Sequence, residues 1–505
     1  MAQHINLKAE GYTKIRDVDP LLVSYNVEMT EVTGGTFWKP YTDAQVAGTE
    51  EFPQMRSFAE LNSLMSVFPP ADLTNARLRK LAKDFGPVWV RVSGSWATKT
   101  YYDFDGHTNG KAPEGFESVL TREQWEGVLD FVKAVGGKLL VSVANCPGAH
   151  DGIGPWKSDQ AKLLFDFSRD YGVPIDAAEF MNEPNMLSGT GYSADAGYTV
   201  KEFARDQDLF FRFMRENYPE VMLVGPCVVG DAMATVLGDG DGSNPMERMA
   251  GMGMSFFLTS DLLAIAEEKP EVFSYHYYNG LSERGAAMGG HWDASEALSE
   301  RYLAVAASAT RFYAPMRDSY TPGAPMWVTE SGDAGLGGNT WASTFLDVPR
   351  TVNELGEFAT VTDGAIFHNT LTSSDYGYLD RETHEPRPNY FAVLLWNRLM
   401  GTEVFDSGEE VREGAHVYVH SRRDGKPGYA AVIINNSTTD VTTVTLPKDA
   451  EVYTLSANTL RDRTMLLNGR PLELQDGDGL PDLSGRQVAA GELELAPATV
   501  TYVVL

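Results

Sequence analysis

Two glutamates, Glu183 in "FMNEPNM" and Glu330 in "WVTESGD", each close an apolar run, so each carboxylate stands where a buried strand meets solvent. Asn182 precedes the first and Pro184 follows it. The amide can bond a hydroxyl, and the proline fixes the turn that aims the carboxylate. Two carboxyl groups facing each other at about 5 to 5.5 Å are the equipment for retaining cleavage of a glycosidic bond. One protonates the leaving oxygen and the other attacks the anomeric carbon. In this assignment Glu183 is the acid and then the base, Glu330 is the nucleophile, and Asn182 lies beside the acid to meet a sugar 2-hydroxyl. "SYHYY" (274–278) adds His276 and Tyr278, and a tyrosine there can hold the nucleophile ionised.

Rival chemistries have weaker support. The glycines of "GDAGLGG" (332–338) follow a strand, but their spacing is not G-x-G-x-x-G. "GDGDGSN" (238–244) resembles a calcium loop, yet Ala250 stands at the twelfth position from Asp239, where a bidentate Glu is required. There is no HExxH and no CxxC, so no catalytic metal and no other cofactor is expected.

Two facing carboxylates need a scaffold that ends several strands at one face. Eight short apolar runs alternate with helical patterns: 21–27, 88–94, 138–146, 177–183, 221–229, 272–278, 325–331 and 364–370. Strands buried on both faces and separated by helices imply parallel βα units, and eight of them point to an α/β chain built as a (β/α)8 TIM barrel, with a doubly wound open sheet as the weaker option. Glu183 then ends the fourth strand and Glu330 the seventh. The helices are legible too. Thr121 and Gln124 form a capping box, Trp125, Val128, Leu129 and Val132 share one face, and Gly136-Gly137 stops the helix.

After the helix-like "NYFAVLLWNRLMG" (389–401) the pattern changes. "AHVYVHSRRDGKPGYAAVIINNS" reads as two strands around a turn, "LLNGRPLEL" carries an Asn-Gly hairpin signal, and "ATVTYVVL" closes the chain. The expected organisation is an N-terminal strand (1–16) joining a β-sandwich, a catalytic barrel (17–403) and an antiparallel β-sandwich (404–505).

The net charge of −29 opposes nucleic acid and polyanions, and no apolar run reaches the roughly 18 residues of a membrane span. Two cysteines, Cys146 and Cys227, imply no disulfide framework. The first residues lack a basic segment followed by an apolar one, so the expectation is a cytoplasmic protein, or a periplasmic or secreted one whose leader has been removed.

With Asn182-Glu183-Pro184, "WVTES" and "HYY" in place, the chain resembles clan A glycoside hydrolases, and within them family 79, the β-glucuronidase and heparanase family. "ARLRKLAKDFGPVWVRVSGS", "NYFAVLLWNRLMGTEV" and "LLNGRPLELQDGDGLPDL" carry the family-level likeness. The resemblance implies a retaining β-glucuronidase that removes β-linked glucuronic acid, with or without a 4-O-methyl group, from a glycoside or oligosaccharide. The alternatives are internal cleavage of heparan sulfate or hyaluronan, or a homologue that binds polysaccharide without cutting it. The resemblance further implies that Tyr376 and the backbone of Gly337 and Gly338 contact the substrate carboxylate, and that Asn26 and Glu28 line the subsite, where the heparanase branch has Asp and Asn. The basic clusters of that branch are replaced by "DGHTNGKAPEGFE" and "GDAMATVLGDGDGSN", and the first is too short for an excised linker.

Overall fold

In a strand such as Trp89-Val-Arg-Val-Ser93, alternate side chains point to opposite faces, and here both faces are buried. The computed structural model describes residues 3–53, 58–231 and 255–505, and in it eight such strands close into a parallel barrel. They are β1 (Val23–Glu28), β2 (Trp89–Ser93), β3 (Lys138–Ser142), β4 (Ala177–Glu179), β5 (Met222–Val228), β6 (Val272–Tyr278), β7 (Met326–Gly332) and β8 (Ile366–His368). Closure comes from β8 against β1, where Ile366 to His368 pair with Val23 to Tyr25. The TIM barrel expected from the eight apolar runs is present. Several strands are shorter than the runs that mark them: β3 ends at Ser142, β8 spans only Ile366–His368, and β4 ends at Glu179, so Glu183 lies four residues beyond it.

Helices cover the barrel for the reasons their sequences give. The helix Arg122–Val135 starts where the Thr121 hydroxyl accepts from Gln124 N, and it stops at Gly136 in the left-handed conformation. Trp125, Val128, Leu129 and Val132 are all buried against the barrel.

The barrel interior is layered. At the lower end Trp89, Trp327 and Phe367 form an aromatic plug, with ring centroids 5.0 Å apart for the first pair and 5.7 Å for the second. Cutting back such a buried ring to alanine costs about 3–5 kcal/mol. One strand step above the plug lies a polar layer that includes Arg91, Glu179 and Ser274.

Glu330 joins the polar layer because of a bulge. Ser274 pairs with Trp327 and Tyr275 with Val328, but His276 pairs with Glu330, so β7 carries one extra residue, Thr329. Strict alternation from Trp327 would turn Glu330 outward. The bulge restores it to the interior.

The second unit is a β-sandwich. Its larger sheet includes His416–Arg422 antiparallel to Tyr429–Asn435 and Thr499–Val504 beside the latter, while Asn468-Gly469, both with positive φ, turn the short hairpin Leu466–Leu467 to Arg470–Pro471. Gln3–Asn6 runs parallel to Thr442–Thr445 in the smaller sheet, and Thr13–Asp17 pairs with Glu403–Asp406 in the larger. The sandwich sits directly on the barrel helix Val348–Val361: a Cβ at Gly356 would come 2.2 Å from the Tyr418 ring, and the Tyr418 hydroxyl donates to Asn353 Oδ1 over 2.7 Å.

Cys146 and Cys227 are free and buried. Among the described residues no helix is long and apolar enough to cross a membrane. The acidic stretch 238–244 lies outside the described residues.

Candidate active site

Above the polar layer the barrel opens into a cavity of about 220 Å³. Glu183 and Glu330 face each other across it, with an oxygen of each and His276 Nδ1 all within 4.8 Å of one another. Glu183 is held by its turn rather than by strand pairing. Its φ is +47°, its N–H donates to Cys227 O at 3.1 Å, and its carbonyl accepts from Met186 N at 2.9 Å. Pro184 follows the strained residue, as a rigid turn requires.

His276 lies between the two acids, with Nδ1 3.0 Å from Glu183 Oε1 and 3.6 Å from Glu330 Oε2. Its other nitrogen, Nε2, is 3.4 Å from Arg91 Nη2. A guanidinium can only donate, so a neutral imidazole carries its proton on Nδ1, facing the carboxylates.

Arg91 is the hub that the sequence reading missed. Fully buried, it bonds Glu179 through Nε at 3.0 Å, Glu330 Oε1 through Nη1 at 3.0 Å and Asn182 Oδ1 through Nη2 at 2.8 Å. The last contact fixes the Asn182 amide, because its oxygen faces the arginine and its NH2 is turned the other way. An arginine inside the apolar run "VWVRVSG" was the available signal, since a buried charge must be paired.

Burial alone would keep Glu330 protonated. His276, Arg91 and the hydrogen bond from the Tyr278 hydroxyl, 2.8 Å from Oε2, together outweigh burial and hold Glu330 below the usual carboxylate range. Glu28 shows the opposite balance. It is buried beside Glu330 and Glu31, so desolvation first and then those two charges push its carboxyl well above the ordinary range. Its Oε2 meets no donor among the described residues. Gly94 makes room for it, because a Cβ there would come within 1.6 Å of that oxygen.

Asn369, also absent from the expectations, donates to the hydroxyls of both Tyr278 and Tyr376 at 3.0 Å. Tyr376 lines the cavity, and its own proton remains available to donate.

Three expected residues lie elsewhere. Asn26 is behind the cavity wall, where its amide donates to Thr329 O and to Asn369 Oδ1 and so orients Asn369. Gly337 is pressed against Trp38 and Ser374. Gly338 packs behind Tyr376, with its N–H donated to Ala334 O. Gly335 and Leu336 line the cavity instead. Trp38 and Tyr376 occupy the space that Gly337 and Gly338 would need to reach it.

Among the described residues two clusters have the donors for a cation. Asp103, Asp105 and His107 lie on a turn where only Asp103 is buried. Glu183, His276 and Glu330 could bracket one, but that ion would take up both carboxylates that proton transfer and nucleophilic attack require.

No family model matches the chain. Heparanase-like protein 1 of Arabidopsis thaliana is 24% identical over 410 residues, 78% of this chain and 70% of that protein. Baicalin-β-D-glucuronidase of Scutellaria baicalensis is 22% identical over 478 residues, 87% of this chain and 84% of that protein. Among solved structures, a 4-O-α-L-rhamnosyl-β-D-glucuronidase of Fusarium oxysporum shares the fold with a TM-score of 0.63 at 11% identity, over 99% of this chain and all of that one.

Proposed function

We propose that the chain is a member of the β-glucuronidase and heparanase family, glycoside hydrolase family 79, and a retaining β-glucuronidase that releases terminal β-linked glucuronic acid, a reading supported by its likeness to the heparanase-like protein and the baicalin-β-D-glucuronidase. The observation that carries the proposal is the facing of Glu183 and Glu330, whose nearest oxygens are within 4.8 Å. Oxygens that close favour the short carboxyl spacing of retaining enzymes, roughly 5–5.5 Å, over the roughly 6.5–9.5 Å that leaves room for a water in inverting ones.

Glu330 attacks the anomeric carbon while Glu183 gives its proton to the glycosidic oxygen, and the aglycone departs with that proton. Glu183, now a carboxylate, takes a proton from water. The water oxygen then displaces Glu330 and restores the original anomeric configuration. Tyr278 and Arg91 keep Glu330 ionised for the first step, and Asn182, turned by Arg91, offers its NH2 to the 2-hydroxyl. The carboxylate of the uronic acid is assigned to the Tyr376 hydroxyl.

Internal cleavage of heparan sulfate or hyaluronan is the competing activity. A long polymer needs a cleft open at both ends and cations for its charges, and no Lys or Arg lines the cavity among the described residues. The substrate is a glucuronide, and the net charge of −29 repels nucleic acid.

Initial rates on nitrophenyl β-glucuronide, β-glucoside, β-galactoside and β-xyloside, with Glu330→Gln as blank, test the assignment. Preference for the glucuronide is expected. Preference for a neutral sugar would overturn the substrate.

A further inference from the structure

We propose that Arg284 is a positioning residue for substrate choice: it fastens the cavity wall that faces the C4 end of the sugar, and the closed wall admits glucuronic acid only where its 4-hydroxyl carries no further sugar. The inference rests on the β-glucuronidase reading above, which supplies the orientation of the substrate.

Arg284 lies in the short 3-10 helix Glu283–Met288, which follows β6, and it is 1% exposed. A buried guanidinium must satisfy its donors, and here the acceptors lie on three other loops. Nη1 donates to Leu336 O at 2.9 Å and to Gly338 O at 3.1 Å, both beyond β7. Nη2 donates to Lys39 O at 2.6 Å, beyond β1, and to Asp375 Oδ2 at 2.9 Å, beyond β8. The guanidinium also stacks over Tyr41, 3.9 Å from its ring centre. Tyr41 repeats two of the ties, since its hydroxyl donates to Gly338 O at 2.8 Å and its N–H to Asp375 Oδ1 at 3.4 Å. One planar fork therefore joins the loops of β6, β7, β8 and β1, which are consecutive strands of the barrel.

Each of these acceptors is at the cavity or one residue from it. Leu336 lines the cavity, and so do Trp38 and Tyr376, the chain neighbours of Lys39 and Asp375. The three loops also touch one another. A Cβ on Gly337 would lie 2.7 Å from the Trp38 side chain and 2.5 Å from Ser374 Oγ, and one on Gly338 would lie 3.0 Å from Tyr376 Cβ. Ser374 Oγ donates to Gly337 O at 2.8 Å. Trp38, Leu336 and Tyr376 thus form one wall with the arginine behind it.

That wall faces one end of the sugar. The acid Glu183 follows β4, and β4 stands opposite β8 in the eight-stranded barrel. The glycosidic oxygen on C1 must meet Glu183, and C4 lies across the pyranose ring from C1. With the C5 carboxylate at Tyr376, the 4-hydroxyl is turned to Trp38, Leu336 and Tyr376. A second sugar on that oxygen would need the volume these side chains fill, and a packed wall yields poorly while its loops are held at one point. An internal glucuronic acid of a 4-linked polymer carries its next sugar there, so the same wall directs the enzyme to chain ends.

The test compares nitrophenyl β-glucuronide with nitrophenyl 4-O-β-glucosyl-β-glucuronide, which share the leaving group. The wild-type kcat/KM is expected to be more than about a hundredfold higher on the first. Arg284→Met keeps the bulk without the donors and is expected to shrink that ratio at least about tenfold, with Arg284→Lys, which keeps the charge but not the fork, falling between. A residue that only stabilised the fold would lower both rates together, and an unmoved ratio would overturn the inference. Asp375→Asn breaks the tie to the β8 loop with a side chain of the same size and is expected to move the ratio the same way, which keeps the inference testable if Arg284→Met does not fold. Equal wild-type kcat/KM on the two substrates would also overturn it while leaving a working β-glucuronidase. Hydrolysis of nitrophenyl glucosides in place of glucuronides would instead overturn the activity on which it rests.

Discussion

The Tyr278 hydroxyl donates to Glu330 Oε2 over 2.8 Å, and the two residues lie on neighbouring strands whose register is set by the bulge at Thr329. A hydrogen bond to a charged acceptor contributes about 1.5–3 kcal/mol, or roughly one to two pKa units of support for the ionised nucleophile. In Tyr278→Phe the Glu330 carboxyl therefore titrates at higher pH. The acidic limb of the kcat/KM profile is expected to move upward with it, with a loss of about ten- to a hundredfold near the old limb. An unmoved limb would mean that Glu330 does not control it.

The roles given to the two facing acids separate by leaving group. Glu330→Gln removes the nucleophile and is expected to abolish turnover of every substrate. Glu183→Ala is expected to retain turnover of dinitrophenyl glucuronide, whose leaving group needs no proton, while losing that of alkyl glucuronides. Equal losses on the dinitrophenyl substrate in both variants would contradict this division.

Glu28 makes the fold sensitive to alkali at one point. Its carboxyl titrates well above the ordinary range in the folded state, because burial and the charges of Glu330 and Glu31 oppose ionisation, so the folded protein holds this proton more tightly than the unfolded chain. The stability it contributes is complete below the unfolded value of about 4.3 and is lost as pH rises toward the folded value. Glu28→Gln copies the protonated form without the titration. The variant is expected to match the parent in Tm near pH 4 and to exceed it near pH 8, read by thermal melts at both. A constant difference across that span would show that Glu28 stays ionised.

Gly94 leaves its neighbour no slack. A Cβ placed there would overlap Glu28 Oε2, and its φ of +91° disfavours any other residue. Gly94→Ala is expected to cost at least about 1–3 kcal/mol of stability, measured by denaturant unfolding, and Gly94→Ala with Glu28→Ala to recover part of that loss. Strict additivity of the two substitutions would refute the contact.

Much of this architecture is legible in the linear sequence because it depends on local patterns. Eight apolar runs separated by amphipathic segments leave few alternatives to a barrel, and Thr121, Gln124 and Gly136 mark the ends of their helix by side-chain chemistry alone. Glu183 and Glu330 are legible for the same reason, since each sits in a short motif at the end of an apolar run. Arg91 is not, because "VWVRVSG" gives no hint that its partners are Glu179 and Glu330. The bulge at Thr329 is equally silent, as one extra residue leaves the composition of the strand unchanged. The glycine loop shows the limit most clearly. Its glycines were identifiable, but contacts from Trp38 and Tyr376, hundreds of positions or dozens away, decide that Gly335 and Leu336 face the cavity while Gly337 and Gly338 face the core.

The pairing of Gln3–Asn6 with Thr442–Thr445 gives this chain a timetable. Gln3–Asn6 leaves the ribosome with its partner more than four hundred residues behind it, and Thr13–Asp17 waits almost as long for Glu403–Asp406. At about 5–20 residues per second, synthesis leaves both strands without their native neighbours for tens of seconds, even as the barrel between them becomes complete. The polar and charged residues in "QHIN" and "TKIRD" suit that interval, because they let an unpaired edge stay in water without recruiting a second chain.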